Sequence, residues 1–120
     1  MKHHINAQDV PNTGVLLVRN SSWSCGLLDG LWAMAQYTNH KWWENAALID
    51  MLGYRNLLDS SRPNEYDNEL LERIQWLDLK WNSLPDLDES PEPVIKHYAG
   101  LPRQQRAEKM TLDLMRMGLT

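Results

Sequence analysis

The first apolar cluster along the chain is Val15-Leu16-Leu17-Val18, set between Pro11-Asn12-Thr13-Gly14 and Arg19-Asn20-Ser21-Ser22. A short apolar run bounded by turn formers predicts a strand over about 14–20, buried on both faces. Leu27, Leu28, Leu31, Trp32 and Ala35 then recur at helical intervals after the candidate caps Ser22 and Ser24, predicting a helix over about 24–37. Trp42, Ala46, Ile49 and Leu52 share one helical face ahead of Gly53, which predicts a second helix over about 41–52. Asp59 to Asn64 reads as a loop, and Glu65 to Trp76 as a more charged helix. Leu77, Leu79 and Trp81 alternate with Asp78 and Lys80, the period of a half-buried strand. Pro85 to Pro93 is an acidic, proline-rich loop, and Val94-Ile95-Lys96-His97-Tyr98 reads as another short strand ended by Ala99-Gly100. From Pro102 onward the stripe Ala107, Met110, Leu114 and Met117 predicts a closing helix. Together these give a mixed α/β or α+β layer of about three strands and about four helices. A sheet that small leaves exposed edges and an apolar face in need of cover, so a homo-oligomer or a further part of the fold is expected.

Composition narrows the class. With 120 residues, 42% of them hydrophobic, the chain has the make-up of one globular domain. A formal net charge of −4 with scattered basic residues offers no footprint for a phosphate backbone, which argues against a nucleic-acid partner. The single cysteine, Cys25, excludes an internal disulfide and a thiolate metal site, and fits a small structural thiol in a reducing compartment. No run approaches the roughly 18 apolar residues of a membrane span, and polar residues follow Met1-Lys2-His3-His4. A soluble, cytoplasmic chain with a solvated N-terminus is the expectation.

Four segments carry a resemblance in their order: Asn12-Thr13-Gly14-Val15-Leu16-Leu17-Val18-Arg19-Asn20-Ser21 with Trp23-Ser24; Trp43-Glu44-Asn45-Ala46-Ala47-Leu48; Lys80-Trp81-Asn82-Ser83; and Ile95-Lys96-His97-Tyr98-Ala99-Gly100. The set, spanning Asn12 to Met117, resembles the galactosyl transferase family that includes yeast mannan galactosyl- and mannosyltransferases and plant xyloglucan xylosyltransferases. The resemblance implies a type A glycosyltransferase fold and a retaining transfer of a hexose or pentose from a nucleotide-diphosphate sugar to a glycan acceptor. It also implies a divalent metal, usually manganese. In that family an Asp-x-Asp metal motif precedes the Asn-Thr-Gly strand, whereas here the residues before Asn12 hold one acid, Asp9. The expectation is therefore the C-terminal half of the fold, inactive as a transferase by itself, with the nucleotide-binding half absent. Asp86-Leu87-Asp88 has the letters of the motif but lies in the proline-rich loop, where solvation accounts for it.

The residues themselves leave two readings at most positions. Asn12, Thr13 and Gly14 are either a turn before a strand or a place where a ligand approaches the backbone, and the resemblance implies a donor-sugar contact. Glu44 and Asn45 fall at a helix start, where a carboxylate also suits the dipole; the resemblance implies that they flank the anomeric carbon, with Asn45 in place of the family's Gln. Trp23, Trp43 and Trp81 are either core or flat faces for sugar rings. Asn82 is a turn residue or a donor to a hydroxyl or phosphate, and Lys96 and Arg103 are solvated cations or diphosphate contacts. His97, followed by Tyr98-Ala99-Gly100, is by resemblance a manganese ligand, with Gly100 closing the motif beside the substrate. The rival to a transferase is a non-catalytic interaction or oligomerisation module that kept the half-fold.

Overall fold

A computed structural model describes residues 2–5 and 8–119, with side chains from Val10 onward. The architecture is helix-rich, and the one strand pair among the described residues is N-terminal: β1 (Lys2–Ile5) runs antiparallel to β2 (Gln8–Pro11), with Lys2 opposite Pro11 and His3 opposite Val10. The helices are α1 (Ser22–Trp32), α2 (Trp43–Met51), α3 (Asn68–Glu72) and α4 (Arg103–Arg116). The expected solvation of the His3 and His4 side chains lies outside the described residues.

The core sits on α2. Ile49 and Leu52 are fully buried, Leu48 and Tyr54 nearly so, and Val10, Leu31, Trp42, Ile74 and Trp76 pack around them. Gly53 ends α2 at φ +85°, with Tyr54 N–H donating to the Ile49 carbonyl at 3.0 Å, the closure that favours glycine after a helix. A side chain at Gly53 would also strike the Glu65 backbone oxygen, placed 1.8 Å from where its Cβ would stand. Beyond this turn Asp50 holds its surroundings together, accepting from the Tyr37 hydroxyl at 2.7 Å and from Arg62 at 3.3 Å. Burial, and then the Asp50 carboxylate, push the Tyr37 phenol above its ordinary pKa.

The helices differ from the sequence pattern at their ends. Ser21, rather than Ser22 or Ser24, caps α1, its hydroxyl accepting from the Ser24 N–H at 3.2 Å. The helix stops at Trp32, and Ala35–Tyr37 forms a tight 3-10 turn whose tyrosine reaches across to Asp50. Asp67 caps α3, which is shorter than 65–76 because Ile74 and Trp76 leave the helix to pack on the core. Pro85 to Pro93 is a loop, as expected.

The expected three-stranded sheet does not form among the described residues. Residues 15–20 have no backbone partner there, and Leu16, Leu17 and Val18 are 49%, 77% and 49% exposed, so the run expected to be a doubly buried strand is neither paired nor covered. Asp78 turns the alternating segment Leu79–Trp81 into a 3-10 turn by accepting the Lys80 N–H at 3.0 Å, a local capping bond that outcompetes extension. The segment 94–98 is not a full strand either, but it pairs briefly with 80–83. Val94 N–H donates to the Lys80 carbonyl at 2.8 Å, Ser83 N–H to that of Ile95 at 3.0 Å, and His97 N–H to that of Ser83 at 2.7 Å. That short parallel pairing brings His97 alongside Asn82.

Candidate functional site

The backbone after β2, the start of α2 and the 80–83/94–97 pairing converge on one polar cluster. Thr13 N–H donates to Asn45 Oδ1 at 3.0 Å, and the Thr13 hydroxyl donates to Glu44 Oε1 at 3.2 Å. Gly14 N–H and Asn82 Nδ2 both donate to Asn12 Oδ1 at 2.8 Å, and Asn82 Oδ1 lies 2.8 Å from His97 Nδ1. Residues far apart in sequence thus meet side by side, Asn12 and Asn82 being separated by 70 positions.

Gly14 has a different physical reason from the one its sequence context indicates. Its φ is not left-handed, and the space above its Cα is taken by the His97 imidazole: a Cβ there would lie 2.2 Å from Nδ1 and 2.4 Å from Cε1. The glycine admits a histidine of the same chain. Asn82 is fully buried, so its amide serves the interior of the cluster, whereas Glu44 is exposed at its rim.

Trp43 opens α2 at φ +42°, a left-handed conformation for a bulky aromatic residue, while its side chain is 63% exposed. Such strain costs on the order of 1–3 kcal/mol and gathers at functional sites. The uncovered indole belongs to the residue immediately before Glu44 in the chain. Trp23 and Trp81 are each 39% exposed and have cations over their rings, Arg73 at 5.4 Å and Lys80 at 5.9 Å.

Other candidates are engaged elsewhere. Lys96 pairs with Asp113 at 3.0 Å and Glu89 at 3.7 Å, tying the 94–98 segment to α4. Tyr98 donates to the same Asp113 carboxylate; burial, then that bond, push its phenol up to about 12, while the Tyr98 and Lys96 hydrogen bonds hold Asp113 below the usual carboxylate range. Asp86, at φ +67°, pairs with Lys109 at 2.5 Å, and Asp88 N–H closes the turn onto the Leu84 carbonyl at 3.0 Å. Gly100 adopts φ +73° in open space, and among the described residues no hydrogen bond joins it to the cluster. Cys25 is exposed near the start of α1.

A cavity of about 660 Å³ adjoins the cluster at Asn12, between residues 15–19, α1 and residues 73–77. Its lining is mainly apolar, with Leu16, Val18, Leu27, Leu31 and Trp76 among the walls. The sequence signal for it was the apolar run itself, once that run lacks the cover of neighbouring strands.

Among the described residues no three His, Cys, Asp or Glu side chains come together as a metal site. The described part of the chain therefore does not fit a manganese ion by itself, His97 being a single donor. Among the described residues no helix is long and apolar enough to cross a membrane. No protein-family model, curated protein or solved structure matches the chain.

Proposed function

We propose that the chain carries the sugar side of a retaining glycosyltransferase that takes a hexose or pentose from a nucleotide-diphosphate donor. The observation that supports this reading is the meeting of Asn12 to Gly14, Glu44 with Asn45, Asn82 and His97 in one hydrogen-bonded cluster. Nothing in the local pattern of any one segment requires that meeting. The Thr13 hydroxyl, the Glu44 carboxylate and the Asn45 amide, with the exposed indole of Trp43 next in sequence, are groups of the kind that bind a ring of hydroxyls: an aromatic face packs on C–H edges, and polar groups exchange hydrogen bonds with the oxygens.

In this reading Trp43 supplies the flat face, and Thr13 orients Glu44 and Asn45 from below through its hydroxyl and N–H. Glu44, exposed at the rim, favours positive charge developing at the anomeric carbon, because a carboxylate that is already oriented needs little reorganisation as the charge forms. Asn45 steadies that carboxylate's surroundings through its bond to Thr13. Any manganese the reaction uses would take His97 as one donor, with its other ligands from outside the described residues.

Calorimetric titration with a panel of nucleotide-diphosphate hexoses and pentoses tests the reading. At least one donor should bind more tightly than its bare nucleotide does, and Trp43→Ala should remove most of that difference. No binding across the panel, or no effect of Trp43→Ala, contradicts it.

A second reading, a non-catalytic association module, is favoured by the uncovered Leu16-Leu17-Val18 run. A self-contained globule of 14.0 kDa exposes about 6,700 Å², and one of this length has a radius of gyration of roughly 13–14 Å, whereas this chain exposes 8534 Å² at 16.0 Å. The excess, about 1,800 Å² on one chain, is about twice what each partner loses in a standard interface and falls in the range of the larger, obligate ones. Both readings therefore include cover for residues 15–20, by a second copy or by the remainder of a longer chain. Light scattering should find a dimer or larger species that Leu17→Lys dissociates. A dimer with no donor binding favours the module, and a monomer unaffected by Leu17→Lys rules out self-association.

A further inference from the structure

Asn12, Asn82 and His97 are joined end to end, and chemistry fixes the direction of the chain they form. Gly14 N–H can only donate, so the Asn12 atom 2.8 Å from it is the amide oxygen. That oxygen also takes Asn82 at 2.8 Å, which must therefore present its NH₂ there and its Oδ1 on the opposite side. Oδ1 of Asn82 lies 2.8 Å from His97 Nδ1 and can only accept, so Nδ1 carries the hydrogen. A neutral imidazole protonated at Nδ1 bears its lone pair on Nε2. Turning either amide over would set donor against donor or acceptor against acceptor. At Asn82, which is fully buried, such a mismatch carries the full desolvation penalty. The ring is also fixed in place, by the His97 N–H bond to the Ser83 carbonyl at 2.7 Å and by its contact with Gly14.

We propose that Asn12 and Asn82 are positioning residues, a polarity relay started by the Gly14 N–H that holds His97 in its Nδ1–H tautomer and makes Nε2 the ring's electron-pair donor. Its bearing on catalysis rests on the glycosyltransferase reading, but the tautomer does not. The relay also gives the two asparagines work other than touching substrate: the Asn12 oxygen takes two donors, and the Asn82 amide is used at both ends.

The test is a long-range proton–nitrogen spectrum of the ¹⁵N-labelled full chain, at a pH where the imidazoles are neutral, with the His97 signal assigned by its loss in His97→Gln. The expected pattern is a protonated Nδ1 and an unprotonated Nε2, favoured by about tenfold over the other tautomer, the bias that one hydrogen bond of ordinary strength sustains. Asn12→Asp keeps an oxygen to accept from both the Gly14 N–H and the Asn82 NH₂ and should keep the pattern. Asn82→Leu removes the acceptor and should abolish the bias. An Nε2–H tautomer or an even mixture in the unmodified protein overturns the proposal, as does an unchanged bias in Asn82→Leu that retains the native amide shifts of Ile49 and Leu52. Should Asn82→Leu not fold, the unmodified protein and Asn12→Asp decide. A relay found intact in a chain that binds no nucleotide sugar would sink the functional reading and leave the relay standing.

Discussion

Adding one methyl group at Gly14 probes the cluster where its packing is tightest. In Gly14→Ala the new Cβ would lie 2.2 Å from His97 Nδ1, 2.4 Å from Cε1 and 2.9 Å from Asn12 Oδ1. Reaching ordinary contact requires the ring to retreat by roughly 1 Å, while a hydrogen bond that starts at 2.8 Å is lost beyond about 3.2 Å. The ring therefore cannot clear the methyl and keep its bond to Asn82. Overpacking costs about 1–3 kcal/mol and an orphaned buried amide a similar amount, so a total of about 2–4 kcal/mol is expected, allowing for partial relaxation. In urea this moves the unfolding midpoint down by about 1–2 M at an unchanged slope. The double variant Gly14→Ala/His97→Ala separates the clash from any general intolerance at position 14: with the ring gone, adding the methyl should cost under about 0.5 kcal/mol. A Gly14→Ala protein as stable as the parent, or one equally damaged with and without the His97 ring, would refute the geometry on which the site is built.

Three further outcomes follow from the same structure. Ile49→Ala, which empties a fully buried position at the centre of the core, should cost about 2–5 kcal/mol in thermal or chemical denaturation. Asp113, whose folded pKa is depressed, contributes stability that is present above its ordinary value near 4 and is lost as the pH falls through the lower folded value; Asp113→Asn should therefore flatten the acid limb of a stability-against-pH curve and release α4 to faster hydrogen exchange. In an enzyme completed with a nucleotide-binding half, Asn45→Ala should lower kcat by more than it raises KM, since the bond it removes orients the groups facing the transition state; an effect confined to KM would assign Asn45 to ground-state binding.

The polar site was more legible in the sequence than the scaffold around it. Asn12, Thr13, Glu44, Asn45, Asn82 and His97 stand out through the ordered set of segments that carries the resemblance, each segment being weak alone, and they meet because each lies near the end of an element, where chain direction changes and side chains converge. The strands were not legible for a physical reason: Val15 to Val18 has strand composition, but a strand exists only with a partner, and the described residues supply none. Leu79 to Trp81 failed in another way, since the alternation was genuine but the Asp78 side chain offered the backbone a nearer bond. Helix cores were read correctly and helix ends were not, because Trp76 and Tyr37 are drawn out of helical spacing by tertiary contacts that no local window contains. The role of Gly14 required knowing that a ring 83 positions away rests on it, and the hairpin of β1 and β2 went unseen in a terminus with too few apolar residues to show a period.

The most direct test of the central claim is where a donor sugar touches the chain. In proton–nitrogen correlation spectra of the labelled protein, titration with the tightest-binding nucleotide sugar should move the Thr13, Gly14, Glu44 and Asn45 amides and the Trp43 indole, and leave the far side of α4 unmoved. Saturable shifts confined to those groups are expected. Shifts that bypass residues 12–14 and 43–45 while the donor demonstrably binds would contradict it.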